Sequence, residues 1–312
     1  RSVNPDYPVV EFSRRAFRQA VAEAERDDFD VIQTFNLNSI GLLKYDRQLQ
    51  AAGVPVAMSC YETIGMDVAA KLNEFRSLPS PKTLMQILGE TYLMTLYERR
   101  YIRLADAVIT EDENTLAALK KMGIDPAKVT LIPSGVDVEQ AQQTTVPDIE
   151  TPWSKGGPVV GYIGRVDPRK GVQYLIQAMP QVRQKFPQVQ LVLAGGSRHG
   201  YDTVIRQMID KLNLGDCVHV LGRVEGDILP YYKLMDRLVI PSLSEGIPIT
   251  LGEAMASEVP VVITKLPGVV PFVQPADLVH WAELGSADSL AAAIVQSLED
   301  EESAQRTARA LE

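Results

Sequence analysis

Two short segments carry the residue types best suited to chemistry. The first reads Gly161-Tyr162-Ile163-Gly164-Arg165-Val166-Asp167-Pro168-Arg169-Lys170-Gly171. A β-branched run ends at Gly164 and a helix is predicted from Gly171, so Arg165 and Lys170 fall in the turn at the carboxyl end of a strand. A guanidinium grips phosphate through paired donors, and an ammonium adds a compact point charge. Together they can hold a diphosphate and neutralise the charge that grows as it leaves. The bland alternative is a solvated basic turn.

The second segment runs Pro241-Ser242-Leu243-Ser244-Glu245-Gly246-Ile247-Pro248-Ile249-Thr250-Leu251-Gly252-Glu253-Ala254-Met255-Ala256. A strand ends near Ile240 and a helix is predicted from Pro248, since proline suits the first helical turn. The amides of Ile249 and Thr250 then open the helix as a phosphate site. Glu245 precedes that helix and Glu253 lies about one turn inside it. Two such carboxylates can accept hydrogen bonds from the hydroxyls of a sugar and a ribose. The bland alternatives are a capping box, Thr250-x-x-Glu253, and a loop acid favoured by a helix N-terminus.

Alternating elements must position these residues. Strand-like runs at Asp30–Ile32, Val54–Ala57, Ala107–Ile109 and Val129–Ile132 are separated by helical periodicity, as over Glu11–Arg26 and Thr115–Met122. The pattern lapses from Asp137 to Gly157 and restarts with strands at Val159–Ile163, Val189–Leu193, Cys217–Leu221, Arg237–Ile240 and Val259–Ile263. Helices are predicted near 171–185, 201–213, 226–235 and 248–257, with a helical tail over 287–311. This is βαβ organisation with parallel sheets. The expected fold class is α/β, two Rossmann-like doubly wound domains: 1–140, a linker over 141–157, and 158–312. Ligands of such sheets bind at the carboxyl ends of the strands, so the expected site lies in a cleft between the domains.

Composition narrows the function. The 312 residues suit two domains at roughly 150 residues each. A net charge of -9 argues against non-specific nucleic-acid binding. No apolar run reaches the roughly 18 residues of a membrane span, and no secretory signal is seen. Cys60 and Cys217 form neither a disulfide framework nor a zinc site, and fit a reducing cytosol.

The chain resembles the retaining GT-B glycosyltransferases of family 4. The likeness rests on Gly164-Arg165 with Lys170-Gly171, and on Glu245 and Glu253 within Ser-Glu-Gly-Ile-Pro…Gly-Glu-Ala-Met-Ala. It is joined by Leu131-Ile132-Pro133-Ser134-Gly135-Val136-Asp137, Leu191–Gly196, Val218–Val224, Ala105–Ile109 and Val259–Val262. The resemblance covers about residues 28–300. It implies transfer of a hexose from a nucleotide-diphosphate sugar to an acceptor hydroxyl with retention of configuration. Arg165 and Lys170 then bind the diphosphate, Glu245 the transferred sugar and Glu253 the ribose. Gly164, Gly246 and the amides of Ile249 and Thr250 lie against phosphate, and the Val224 backbone lies near the base. The resemblance implies neither metal nor cofactor beyond the donor.

This chain departs from the family pattern at several places. Tyr61 stands where most members carry His, beside Glu62. The three histidines, His199, His219 and His280, are expected to be structural or superficial. Gly268-Val269-Val270-Pro271-Phe272 replaces the usual Gly-Gly and Glu, and Ile247 the usual Phe. A first strand and Gly-rich loop are expected ahead of Asp30, so the N-terminal domain reads as incomplete. Leu84 to Leu104 is rich in Leu, Met and Tyr and ends in Arg99, Arg100 and Arg103. It reads as a core helix, with a membrane-surface helix beside a lipid-linked acceptor as the alternative. The expected location is cytoplasmic, with peripheral contact at the inner membrane face under the membrane-helix alternative. Competing readings are a related phosphorylase or epimerase, and a non-catalytic transferase-like subunit. Donor base, sugar, acceptor, linkage and oligomeric state are not legible.

Overall fold

β-Branched runs flanked by helical periodicity fold here as two separate parallel sheets, divided between Pro133 and Ser134. The computed structural model describes residues 8–24, 30–61, 63–65, 68, 72, 81–146, 151, 153, 156–197 and 200–309. Glu62 and His199 lie outside the described residues, as do parts of the expected linker.

Among the described residues the first unit holds four strands in chain order, β1 (Ile32–Phe35), β2 (Val56–Ser59), β3 (Ala107–Thr110) and β4 (Val129–Leu131). Helices α1 (Pro8–Ala24), α2 (Leu42–Ala51), α3 (Pro81–Leu93), α4 (Arg99–Leu104) and α5 (Glu113–Lys121) are described around them. A π-helical turn, Met94–Glu98, joins α3 to α4. Leu42, Leu49, Met58, Tyr101, Ile102, Val108 and Leu119 form the core. β1 and β2 start two residues later than the expected runs. Val31 is 54% exposed, so the chain enters the sheet only where Ile32 pairs with Val56.

The second unit contains helix α6 (Val138–Gln143) and six parallel strands: β5 (Val159–Ile163), β6 (Gln190–Ala194), β7 (Val218–Gly222), β8 (Arg237–Ile240), β9 (Val261–Thr264) and β10 (Val279–Ala282). Their order is β10-β9-β8-β5-β6-β7, that of the dinucleotide-binding doubly wound fold. Helices α7 (Val172–Lys185), α8 (Tyr201–Lys211), α9 (Leu229–Tyr232), α10 (Ile249–Ala256), α11 (Ala287–Glu299) and α12 (Ser303–Arg309) complete it. Alternate strand residues serve opposite faces. Val160, Leu191, Leu193, Val239 and Val262 pack on one side with α7 and α11. Val159, Val192, Leu238, Ile240, Val261 and Ile263 pack on the other with Tyr232 and Leu251. A sheet covered on both faces explains why these strands read as unbroken apolar runs.

Three expectations change. Residues 138–143, read as linker, form α6, capped by the Asp137 carboxylate, and bury Ala141 against the second core. The helix expected over 226–235 is a single turn, because Gly226 takes φ 85 and Pro230 follows. β10 had no strand-like signature in the sequence reading. Its Val279, His280 and Ala282 are buried. His280 pairs with Asp300 at 3.2 Å, and His219 bonds Gln190 at 2.8 Å, so both serve structure. Both cysteines are buried, and neither is joined in a disulfide among the described residues.

One device recurs in both units. Asp106, just before β3, accepts from the Val56 amide at 2.8 Å and donates its own amide to the Val56 carbonyl at 3.0 Å. Asp236, just before β8, does the same to Val159 at 2.7 and 2.9 Å. Each carboxylate thus locks the start of the neighbouring strand and sets its register. Asp236→Ala should cost about 1–3 kcal/mol, and Asp236→Asn, which keeps an acceptor, less. Urea unfolding followed by tryptophan fluorescence checks this, since Trp153 and Trp281 both belong to the second unit.

Candidate functional site

β6 lies on one side of β5 and β8 on the other, so the loops leaving β5 and β8 diverge at a topological switch point. That is where doubly wound sheets open a ligand crevice. The loop after β5 carries Arg165 and Lys170, and the loop after β8 carries Glu245.

Backbone geometry laces the two loops together. The Asp167 carboxylate accepts from the Lys170 amide at 3.2 Å and closes a 3₁₀ turn over Pro168–Lys170. Gly171 follows at φ 71, and a Cβ there would stand 1.8 Å from the Pro241 carbonyl oxygen. Only glycine permits both the conformation and the approach. The Leu243 amide then donates to the Arg169 carbonyl at 2.8 Å. On the other flank, a Cβ on Gly195 would meet the Gly164 carbonyl oxygen at 1.7 Å, so β6 also presses against the first loop.

This lacing sets Lys170 Nζ 2.7 Å from Glu245 Oε2, with the two side chains 17% and 12% exposed. The Ser242 hydroxyl donates to the other Glu245 oxygen, and Ser242 is itself held by Thr264, which donates to its carbonyl at 2.6 Å. Arg165 stands at the rim, 42% exposed, with a long 3.7 Å approach to Asp167. Its carbonyl accepts from the Tyr162 hydroxyl at 2.5 Å. Burial, then the charges of Glu245 and Asp167, push that hydroxyl well above its ordinary range, so it stays a donor.

Helix α10 begins after Pro248 with no side-chain cap. Ile249 and Thr250 are its first two residues, whose amides precede the first intrahelical acceptor and carry the positive end of the helix dipole. The capping-box alternative fails: Thr250 lies inside the helix rather than at its N-cap. Glu253 instead accepts from the Tyr232 hydroxyl at 2.6 Å. Burial, and then Glu253 itself, hold Tyr232 protonated far above its ordinary range. Glu253 and Ile249 line one cavity of about 250 Å³ with Gly135, Asp137, Gln140 and Asp227. Gly246 is half-buried ahead of the helix, and Val224 sits half-buried just past β7. A larger cavity of about 410 Å³, between Met255, Phe272, Leu278 and Arg306, is lined by none of the predicted site residues. Converging polar groups, not size, select the smaller one.

Ser242, Tyr232, Tyr162 and Asp167 complete the constellation and were not singled out from the sequence. Asp167 had a local signal, an acid three residues before Lys170 and followed by proline. Tyr232 had none, because only the packing of α9 on α10 turns it toward Glu253.

Removing Lys170 leaves a mostly buried carboxylate held by Ser242, and removing Glu245 leaves a mostly buried ammonium. Lys170→Ala and Glu245→Ala should each destabilise the second unit. The double variant should lose less than their sum, by a coupling of about 0.5–3 kcal/mol. A double-mutant cycle by urea unfolding measures it.

Comparison with known proteins gives the chain its place. Residues 148–311 match the profile described as Glycosyl transferases group 1, and residues 1–140 that of Glycosyltransferase Family 4. O-antigen chain mannosyltransferase B of Escherichia coli is 33% identical over 145 residues, 45% of this chain and 36% of that protein. The GDP-mannose-dependent monoacylated alpha-(1-6)-phosphatidylinositol monomannoside mannosyltransferase of Corynebacterium glutamicum is 32% identical over 182 residues, 54% of this chain and 46% of that one. The match thus spans less than half the length of either relative. Anabaena HepE, solved in complex with UDP, aligns over 95% of this chain and 76% of its own with TM-score 0.71 and 21% identity, a likeness of fold. Sucrose-phosphate synthase from Thermosynechococcus elongatus aligns over 99% and 76% with TM-score 0.72 and 23% identity. With two parallel-sheet α/β units of GT-B type and a family profile matched over more than half of its length, this chain belongs to the group 1 glycosyl transferases.

Proposed function

We propose that the protein transfers a hexose from a nucleotide-diphosphate sugar to an acceptor hydroxyl, with retention at the anomeric carbon. The observation that carries this reading is the Lys170–Glu245 pair at the switch point, beside a helix start and a cavity lined by Glu253. Lys170 and Arg165 take the diphosphate, with Gly164, Gly246 and the amides of Ile249 and Thr250 against its oxygens. Glu245 takes hydroxyls of the transferred sugar. Glu253 takes the ribose, and the Val224 backbone lies near the base. The bond from the anomeric carbon to the diphosphate oxygen breaks as the acceptor oxygen bonds to the same face. The acceptor proton passes to the departing phosphate oxygen. Such a reaction asks for positioning and charge stabilisation rather than a strong base. The names of relatives support the donor class: one acts with GDP-mannose, and HepE was solved with UDP.

A specific observation favours a lipid-borne acceptor met at a cytoplasmic membrane surface. Leu84, Met85, Leu88 and Tyr92 of α3, and Leu96 beyond it, are 42, 63, 56, 59 and 36% exposed. The core reading of this segment therefore holds only for residues such as Ile87, Tyr101 and Ile102. Exposed Arg99, Arg100 and Arg103 follow the apolar face, the pairing that anionic bilayers attract. No helix among the described residues is long and apolar enough to cross a membrane. Two relatives are named for phosphatidylinositol-based acceptors. In flotation with anionic liposomes the protein should rise with the vesicles. Leu88→Asp/Tyr92→Asp should stay at the bottom, and a wild type that stays there too refutes this reading.

For the donor, thermal shifts with UDP, GDP, ADP and their sugar conjugates decide. A nucleotide at about 100 times its dissociation constant adds about 2.7 kcal/mol to stability. One of them should raise Tm in the wild type and not in Lys170→Ala, whose transfer rate should fall on the order of 100-fold. Glu245→Ala should abolish transfer while keeping the nucleotide shift. Full transfer activity in a folded Glu245→Ala refutes its role.

A further inference from the structure

The Lys170–Glu245 pair joins two groups that the transferase reading gives to different parts of one donor, the diphosphate and the sugar. In this structure each is spent on the other: Lys170 Nζ lies 2.7 Å from Glu245 Oε2, and both side chains are mostly buried. The Ser242 hydroxyl donates to Oε1, so both carboxylate oxygens already have a donor. A diphosphate that reaches Lys170 therefore competes with Glu245. A sugar hydroxyl that reaches Oε2 competes with the ammonium.

The two partners are held differently. Lys170 is fixed through its backbone, whose amide donates to the Asp167 carbonyl at 3.1 Å and to the Asp167 carboxylate at 3.2 Å. Its four-carbon stem can swing without disturbing that turn. Glu245 has a second anchor in Ser242, a buried residue whose own carbonyl accepts from the Thr264 hydroxyl at 2.6 Å. When the pair opens, Lys170 moves and Glu245 stays. The other groups suited to phosphate are open already. Arg165 is 42% exposed at the rim, and α10 starts without a side-chain cap. A diphosphate thus meets these donors before it meets Lys170. It carries more charge than one carboxylate, so it can draw the ammonium away.

We propose that Glu245 is an internal competitor of the donor diphosphate, and that its displacement from Lys170 is what frees Oε2 for the sugar. The sugar half of this assignment rests on the transferase reading, whereas the competition for Lys170 requires only a diphosphate. Sugar recognition is then conditional: without phosphate the pair stays closed, and Oε2 stays occupied. Opening a mostly buried pair leaves two poorly solvated charges, so the closed state dominates in the free protein. The apparent affinity for a diphosphate is lowered by the small fraction of molecules that are open.

Glu245→Gln tests the competition. The amide keeps the side-chain length, an oxygen for Lys170 and a partner for Ser242, and it removes the charge that holds the ammonium. In calorimetric titration it should bind inorganic pyrophosphate, and UDP or GDP, about tenfold more tightly than the wild type, while losing transfer. Equal or weaker binding would mean that the carboxylate steers Lys170 toward phosphate, and would overturn the proposal. Relief of charge repulsion alone would also tighten binding, so the pair is read directly in the wild type, which needs no variant to fold. With isotope-labelled lysine and glutamate, a scalar coupling across the Nζ–H···Oε2 hydrogen bond should be present in the free protein, with Lys170→Arg assigning the signal. It should vanish on saturation with pyrophosphate or the nucleoside diphosphate and survive uridine and guanosine. A coupling absent from the free protein, or retained in the diphosphate complex, overturns the proposal. Retention with a bound nucleoside diphosphate leaves the donor reading standing. Displacement by pyrophosphate with no binding of any nucleotide keeps the competition and refutes the transferase reading.

Discussion

The second unit depends on how closely two backbones can approach. Gly171 lies against the Pro241 carbonyl, and the Leu243 amide reaches the Arg169 carbonyl at 2.8 Å. These contacts join loops from two parallel neighbours, β5 and β8. Any side chain at position 171 would push the loops apart, and the Lys170–Glu245 pair would open with them. The ion pair is thus a consequence of backbone fit more than its cause. A mostly buried pair repays its desolvation only when geometry and extra hydrogen bonds are good, and Ser242 supplies the extra bond.

The same logic runs through the supporting residues. Tyr162 and Tyr232 are buried phenols whose ionisation is suppressed by burial and by nearby carboxylates. Each therefore acts as a fixed donor, one to the Arg165 carbonyl and one to Glu253. Hydrogen bonding of this kind orients a site without lending it acid–base chemistry, which matches a reaction that asks for positioning and charge stabilisation. Asp106 and Asp236 perform one task in the two units, setting the start of a strand through the neighbour's amide. Two sheets of different size are thus framed by the same local device.

The units differ in what they offer a ligand. The second presents cations, helix amides and carboxylates at its switch point, a mixture suited to a charged nucleotide. The first presents an exposed apolar helix face followed by arginines.

Much of this was legible in the amino-acid order. Short β-branched runs alternating with helical periodicity determined two parallel-sheet units, because local sterics and the need to bury apolar faces leave few other arrangements. Arg165, Lys170, Glu245 and Glu253 stood out because glycine, proline and a strand end announce a turn wherever they occur. The linker reading failed at 138–143 because Asp137 caps a helix whose anchor, Ala141, finds its partners on α10, far along the chain. The capping-box reading of Thr250 and Glu253 failed because the helix starts one residue earlier, at Ile249 after Pro248, and Thr250 lies inside it. Tertiary structure alone decided that Lys170 meets Glu245, and that Ser242 and Tyr232 hold the two acids. Lys170–Glu245 and Tyr232–Glu253 join separate elements of the chain, whereas Ser242 reaches Glu245 within one loop. Their distances follow from strand order and close packing, which residue spacing does not encode.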